Sequence, residues 1–464
     1  MAPDFTEQSR GHGSPSTLKQ IAASAGLSAL FLIVYGWSNW FTAQRRDVST
    51  LFFEWERMIP FVPLMIVPYM SIDLLFVAAP LLCRSDRELA TLSKRIIATI
   101  LVAGACFLLF PLRFAFDRPD AAGWLGAVFD WFRAMDRPYN MLPSLHIAFR
   151  TVLAEFYARH TWGAVRLTSN IWFGLIGLSA VLTYQHHVMD VVAGFALGAY
   201  CLYFFPRTQP ALGEKAPSLP RKTGNARVGM FYAGGAAVVI LFVLLWWPWG
   251  AFLLWPAISL VLVAAAYLRG VPVIFQKREG RLPWTSWWAL GPVLAGLHLS
   301  RLYYRQKARA WDQLTPSVFI GGVLAEREAG ELLRRGVTAV LDLTAEFSEA
   351  AAFRNLNYRN IQVLDLTAPA PEELIAIADF IEEQSQAGIV YVHCKIGFSR
   401  TAGAAAAYLL RSGKARTVAE AIEVTRRARP AIVVRPEIME ALNSYVAHLS
   451  SRPVLCSSNN QATL

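Results

Sequence analysis

Long apolar runs fill the first 270 positions of this chain and give way to short alternating patterns after residue 311. Crossing ~30 Å of hydrocarbon takes about 20 apolar residues in a helix. Segments near 20–41, 59–82, 96–112, 145–160, 167–186, 188–205, 228–247 and 250–268 have that character, so the pattern predicts eight spanning helices. The fourth carries Arg150, Glu155 and Arg159 and suits a span only when packed inside a bundle. The stretch WTSWWALGPVLAGLHLSRLYYR (284–305) has basic flanks and aromatic ends. It reads as a helix lying on the membrane surface, with a ninth span as the alternative. Farther on, VFIGG (318–322), TAVLDLT (338–344), RNIQVLDL (359–366) and GIVYVHC (388–394) read as strands. Helical patterns lie between them, such as PEELIAIADFIEEQSQ (371–386), with Pro at its start and acids in its first turn.

The predicted fold is an α-helical transmembrane bundle followed by a soluble α/β domain. Its boundaries are a disordered N-terminus (1–17), a bundle (18–206), a cytosolic linker (207–227) and two additional transmembrane helices (228–269). An interfacial amphipathic segment (270–310), the α/β domain (311–450) and a C-terminal tail (451–464) complete it. The stretch 21–40 is too long for a signal-peptide core and reads as the first span.

Composition supports this division. Of 464 residues, 55% are hydrophobic and only 17% charged, and fifteen Trp are available as interfacial anchors. The formal charge of +11 resides beside apolar segments, in 83–95 and 207–227, which fits contact with anionic lipid and excludes nucleic acid as the natural partner. If both loops are cytosolic, so are the N-terminus and, after eight spans, the α/β domain. Arg45, Arg46 and Arg57 in the 42–58 loop, offset by Asp47, Glu54 and Glu56, argue weakly the other way. A ninth span would put Cys394 outside. The expected location is an inner membrane of bacterial type with the α/β domain on the cytosolic side. The five cysteines (83, 106, 201, 394 and 456) form neither a disulfide framework nor a C-x-x-C metal pattern, and no cofactor or metal is implied.

Two stretches carry candidate chemistry. In YVHCKIGFSRTA (391–402), Cys394 ends a strand and a short loop with Gly397 leads into an Ala-rich helix from Arg400. Backbone N–H groups and a helix N-terminus would then face an anion and stabilise a thiolate, and Arg400 can fork onto two phosphoryl oxygens. Lys395 adds charge inside the loop, with a solvated Lys as the bland reading. His393, Cys394, Gly397, Arg400 and Thr401 fit H-C-x-x-G-x-x-R-[ST], and here residues 311–450 resemble the protein tyrosine and dual-specificity phosphatase family. The resemblance implies that Cys394 attacks phosphorus and Arg400 binds the transferring group. His393 would orient the loop, Ser399 or Thr401 would help break the intermediate down, and Ile396 and Phe398 would complete the phosphate loop. An upstream Asp would be the general acid: Asp365 in VLDLTAP, with Asp342 in VLDLTAE as its competitor.

The second stretch pairs NMLPSLHIAF (140–149) with LTYQHHVMDVVAG (182–194). His186 and Asp190 stand four apart, one helical turn, and a carboxylate beside a His is the arrangement of an activated nucleophile. His187 is the alternative to His186. His146 heads another apolar segment, and Arg113 and Arg118 in FPLRFAFDRPD can supply a phosphate clamp. Pro143-Ser144-Leu145-His146 and His186-x-x-x-Asp190 resemble elements of the type 2 phosphatidic acid phosphatase superfamily, over roughly 60–205. Position 111 is Pro where that family's first element opens with Lys, and Ala180 replaces its Arg; the motifs look closer to the branch with sphingolipid headgroup synthases. The resemblance implies His186 as nucleophile, Asp190 as its orienting group, His146 as the proton donor, and Ser144 beside the phosphate.

Together these imply a bifunctional membrane enzyme acting on a phospholipid or sphingolipid. It would join a His-dependent lipid phosphatase or phosphotransferase, facing away from the cytosol, to a cytosolic Cys-dependent phosphatase. The alternative is a membrane-anchored protein phosphatase with a lipid-binding, non-catalytic bundle. Oligomeric state is not legible in the sequence.

Overall fold

The computed structural model describes residues 14–207, 224–247 and 249–451. Most of the N-terminal lead-in and of the 207–227 linker, and the tail with Cys456, lie outside them. The chain divides into two compact units, Met1–Gln209 and Pro210–Leu464.

The first unit is helical: α1 (Thr17–Ala43), α2 (Ile66–Ala78), α3 (Asp86–Leu109), α4 (Gly123–Met135), α5 (Leu145–His160), α6 (Gly163–Leu182) and α7 (Val188–Phe204). Start signals are local. Ser85 caps α3 by accepting from the Glu88 N–H, and Ser144 caps α5 by accepting from the Ile147 N–H at 3.3 Å. The inner pair is α5 with α7. Their backbones approach closely, since a Cβ at Gly194 would meet the Ser144 carbonyl oxygen at 2.3 Å.

Among the described residues, six helical segments of the chain are long and apolar enough to cross a membrane, against the eight predicted. The difference lies in α5 and α7. At 16 and 17 residues they are about 24–26 Å long, short of a bilayer core. The arginines and the glutamate of α5 are engaged inside the unit: Arg150 Nε donates to the Phe173 carbonyl (2.7 Å), and Arg159 pairs with Glu155 (2.9 Å). The 13-residue α4 was absent from the sequence reading, being shorter than any spanning pattern.

The second unit begins with a hairpin of two apolar helices, α8 (Ala226–Leu245) and α9 (Leu254–Arg269), the latter ending at Gly270 in the left-handed conformation. The predicted surface helix is two helices, α10 (Trp284–Ala289) and α11 (Gly291–Arg305). The break falls at Leu290, ahead of Pro292, which cannot supply an N–H to the preceding turn. Trp255 of α9 stacks on Trp288 of α10 with centroids 5.2 Å apart.

A five-stranded mixed sheet follows: β1 (Trp311–Thr315), β2 (Val318–Gly322), β3 (Val337–Thr344), β4 (Asn357–Val363) and β5 (Ile389–Cys394), in the order β1-β2-β5-β3-β4. Only β1 runs antiparallel to its neighbour. Helices α12 (Glu326–Arg334), α13 (Ala351–Arg354), α14 (Pro371–Ala387), α15 (Arg400–Arg411), α16 (Val418–Ala428) and α17 (Pro436–Ser451) flank it. Strand β5 lies between β2 and β3, covered on both faces, which is why it opens with the apolar run Ile389–Val392. Ala402 and Ala404–Ala407 let α15 pack closely on this core. The carboxyl ends of β2, β3 and β5 therefore meet at one edge, where parallel sheets form ligand sites.

Candidate active site

Cys394 ends β5, and the loop 395–399 turns directly into α15. Gly397 sits at φ +82° with its Cα against β2; a Cβ there would meet the Gly321 carbonyl carbon at 2.5 Å. The loop's carbonyls point outward to Arg429, a fully buried side chain whose Nε donates to the Gly397 oxygen (2.9 Å) and Nη2 to the Ile396 oxygen (2.8 Å). Arg429 is itself held by Asp312 at 2.6 Å. With the carbonyls engaged outside, N–H groups turn inward, and the Gly397 N–H lies 3.3 Å from the Cys394 sulfur. Burial pushes the Cys394 thiol up. Arg400 and hydrogen bonds from Thr401 and Gly397 outweigh that and hold it below its ordinary value.

Arg400 is buried and presents its fork to carboxylates. Nη2 donates to Glu346 Oε1 (2.7 Å) and Asp365 Oδ1 (3.2 Å), and Nη1 to the Val363 carbonyl (2.7 Å). Asp365 also accepts from Lys395 Nζ at 3.3 Å. Burial pushes the Asp365 carboxyl up, but Arg400 and Lys395 together hold it below the usual range. A phosphoryl dianion that drew Arg400 away would weaken the larger of these two influences and push the carboxyl up. Asp342, the competing candidate, is elsewhere. It is a buried residue of β3, bonded to the Lys277 ammonium and accepting from the Tyr358 hydroxyl (2.7 Å).

His393 points into that same layer. Its Nε2 lies 2.6 Å from Glu349 and 3.9 Å from Asp342. Burial pushes the imidazole down, and the two carboxylates more than restore it, so its value is raised. Asp342, Glu349 and His393 place ligand atoms within 4.8 Å of one another, a spacing a metal ion could use. Here Lys277 Nζ supplies the positive charge, also donating to the Thr344 hydroxyl (3.0 Å) and carbonyl (3.1 Å). Of the remaining loop residues, Phe398 packs edge-on to Tyr304 of α11 (6.2 Å), and the Ser399 hydroxyl is buried without a partner. Glu346, Glu349, Arg429 and Lys277 escaped the sequence reading. The two glutamates follow β3 at the carboxyl edge of the sheet, a usable signal; Lys277 and Arg429 offered none.

In the first unit, His186 Nδ1 lies 3.6 Å from Asp190 Oδ2, which accepts from the His187 N–H at 2.8 Å. His146 stacks on Tyr69, centroids 4.0 Å apart, with its Nε2 buried and unpartnered. Arg118 and His186 both interact electrostatically with Asp136, which accepts from the Tyr35 hydroxyl at 2.8 Å. Ser144 is used as the α5 cap, and its N–H donates to the Asp190 carbonyl (3.0 Å). Arg113 is exposed. His187 has a different environment from His186: it stacks on Phe114, Nδ1 meets Glu56 at 2.9 Å, and Nε2 accepts from the Ala115 N–H at 3.1 Å. Both nitrogens of His187 are committed, whereas His186 Nδ1 is buried without a hydrogen-bond partner.

Residues 324–448 match the family model described as dual specificity phosphatase, catalytic domain. Phosphatidylglycerophosphate phosphatase PTPMT2 of Arabidopsis thaliana is 26% identical over 173 residues, covering 35% of this chain and 75% of the relative. Dual specificity protein phosphatase 19 of Mus musculus is 31% identical over 138 residues, covering 28% of this chain and 60% of the relative's length. Among solved structures, that of Tk-PTP in the active form is 29% identical with a TM-score of 0.28, covering 30% of this chain and 96% of that one. The second unit of this chain thus contains a dual-specificity phosphatase catalytic domain.

Proposed function

We propose that the chain is an integral membrane enzyme whose α/β domain removes phosphate from phosphorylated lipid headgroups. The observation that carries this is the continuity of the second unit. The apolar α8–α9 hairpin, the aromatic α10–α11 pair and the thiol loop form one compact body. The Asn225 amide that begins α8 donates to the Leu366 carbonyl at 3.0 Å, next to Asp365. The loop bearing the candidate acid is therefore tied to the foot of the apolar hairpin. The likeness to a plant phosphatidylglycerophosphate phosphatase supports a lipid substrate.

The chemistry follows from the geometry. The Cys394 thiolate attacks phosphorus in line with the ester oxygen, the P–O bond breaks, and Asp365 gives its proton to the leaving alkoxide. Arg400 leaves Glu346 for two oxygens of the transferring group. Water then attacks the cysteinyl phosphate, Asp365 takes its proton, and inorganic phosphate departs as the thiolate is restored. His393, held by Glu349, fixes the base of the loop.

The first unit supports a second site, for lipid phosphate or phosphodiester. There His186 is the nucleophile, Asp190 orients it, His146 donates the proton and Arg118 faces the phosphate. The unpartnered buried atoms His186 Nδ1, Asp190 Oδ1, His146 Nε2 and Arg118 Nε favour this reading over a purely structural network. An anchored protein phosphatase remains the competing reading, favoured by the mouse relative. The test is phosphate release from phospholipids, phosphoinositides and phosphotyrosine peptide by wild type, Cys394→Ser and His186→Ala. Loss of lipid dephosphorylation in Cys394→Ser alone supports the proposal. Turnover of peptide but not lipid by the wild type favours the competitor.

A further inference from the structure

Helix α11 has two unlike faces. Leu299, Leu302 and Tyr303 are 68%, 55% and 55% exposed, an apolar surface with no cover among the described residues. The other face meets the catalytic loop. Ser300 Oγ accepts from Lys395 Nζ at 3.0 Å, and Arg301 Nη2 donates to the Val323 carbonyl at 2.7 Å. Arg305, one turn on, pairs with Glu328. Between this face and the loop lies a shallow cleft that opens to solvent. It is lined by Arg301, Arg305, Arg309, Lys395 and Ile396, the last two belonging to the phosphate loop itself.

Three of these four cations have carboxylate neighbours: Glu328 for Arg305, Asp312 for Arg309 (3.6 Å) and Asp365 for Lys395 (3.3 Å). Arg301 has no ion pair among the described residues, and its Nε is buried without an acceptor. Burial and the nearby Arg305 both lower its guanidinium from the ordinary value, a cost that an anion in the cleft would relieve.

We propose that this cleft is a second anion subsite, taking the phosphodiester of a phospholipid whose headgroup ends in a phosphomonoester. The inference rests on the lipid reading of the thiol site. A diester phosphate is tethered by its acyl chains at the membrane surface, while the terminal monoester projects from it. Helix α11 turns its apolar face outward and its arginines inward, so the cleft stands between such a surface and Cys394. Phosphatidic acid and phosphopeptides carry one phosphate and leave the cleft unused.

The test uses the full-length protein and three substrates: phosphatidylglycerophosphate in phosphatidylcholine vesicles, phosphatidic acid in the same vesicles, and soluble para-nitrophenyl phosphate. Arg301→Gln should raise KM for the two-phosphate lipid about tenfold relative to the other two, the equivalent of one charge-assisted contact of ~1.4 kcal/mol. Arg301→Lys should recover part of this. Arg309→Gln, on an exposed side chain that cannot disturb the core, should give a smaller rise of the same selectivity. An equal change on all three substrates, or none on the two-phosphate lipid, overturns the subsite. If wild type cleaves para-nitrophenyl phosphate but no lipid, the lipid reading has failed, and glycerophosphoglycerol decides the subsite alone. Inhibition of para-nitrophenyl phosphate cleavage that weakens in Arg301→Gln retains it, and absence of inhibition removes it.

Discussion

The two candidate phosphate sites of this chain are built on opposite plans. Around Cys394 nearly every polar group is already engaged: the sulfur with Gly397, Arg400 with Glu346 and Asp365, His393 with Glu349. Around His186 the reactive atoms are buried but unpartnered. The first plan holds a charged site rigid before substrate arrives, so substrate must displace existing partners of Arg400. The second leaves donors and acceptors whose burial is costly until something completes them. The first should therefore tolerate loss of its reacting groups poorly in activity yet well in fold, whereas its supporting layer should fail in fold.

The largest expected effect is at the nucleophile. Cys394→Ser should lower para-nitrophenyl phosphate hydrolysis on the order of 10⁴-fold or more, with an unchanged melting temperature. Activity surviving at wild-type level would remove the thiol from the mechanism. Next come the two aspartates. Asp365→Asn should reduce kcat on alkyl phosphates by about 10²–10⁴-fold in a folded protein. Asp342→Asn should instead destabilise by about 3–5 kcal/mol in thermal or urea unfolding, since it strips the counter-charge from buried Lys277. Exchanged outcomes would reassign the general acid.

The histidine pair sharpens the contrast within the first unit. His187→Ala should cost roughly 1–3 kcal/mol of stability, because buried Glu56 and the Ala115 N–H lose their partner. His186→Ala should leave the melting temperature alone and abolish lipid turnover at that site. The smallest effects are pH-dependent. Alkylation of Cys394 should inflect below the ~8.5 of a free thiol, and Arg400→Met should move that inflection up. His393 is raised in the folded state, so its contribution to stability is complete below the ordinary imidazole value. It is lost as pH rises through the raised one. In Glu349→Gln that fall in melting temperature with pH should shrink.

How much of this was legible in the sequence depends on chain distance. The phosphate loop was readable because seven consecutive residues, Cys394 to Arg400, carry the strand end, the left-handed glycine and the helix start. Its support was not, because Arg429 bonds the loop from 32 residues downstream of Gly397, and Lys277 bonds Asp342, in the layer beneath His393, from 65 residues upstream, through folding alone. Hydropathy found the apolar segments but overstated α5 and α7, whose burial comes from packing on each other. The break in the surface helix was written in Gly291-Pro292, a breaker signal outweighed by the aromatic pattern around it. The choice between His186 and His187 rested on spacing alone, and the hydrogen bonds of His187 to Glu56 and Ala115 are not written in that spacing.

The most direct measurement is where a phosphoryl group resides during turnover of a lipid phosphomonoester. The full-length protein, slowed by Asp365→Asn, would be mixed with phosphatidylglycerophosphate vesicles, quenched and digested, and its peptides weighed. A thiol-dependent lipid headgroup phosphatase predicts one phosphoryl group on the peptide containing Cys394, absent when Cys394→Ser is added. Phosphate release with that peptide unmodified, or with the group on His186 instead, would contradict it.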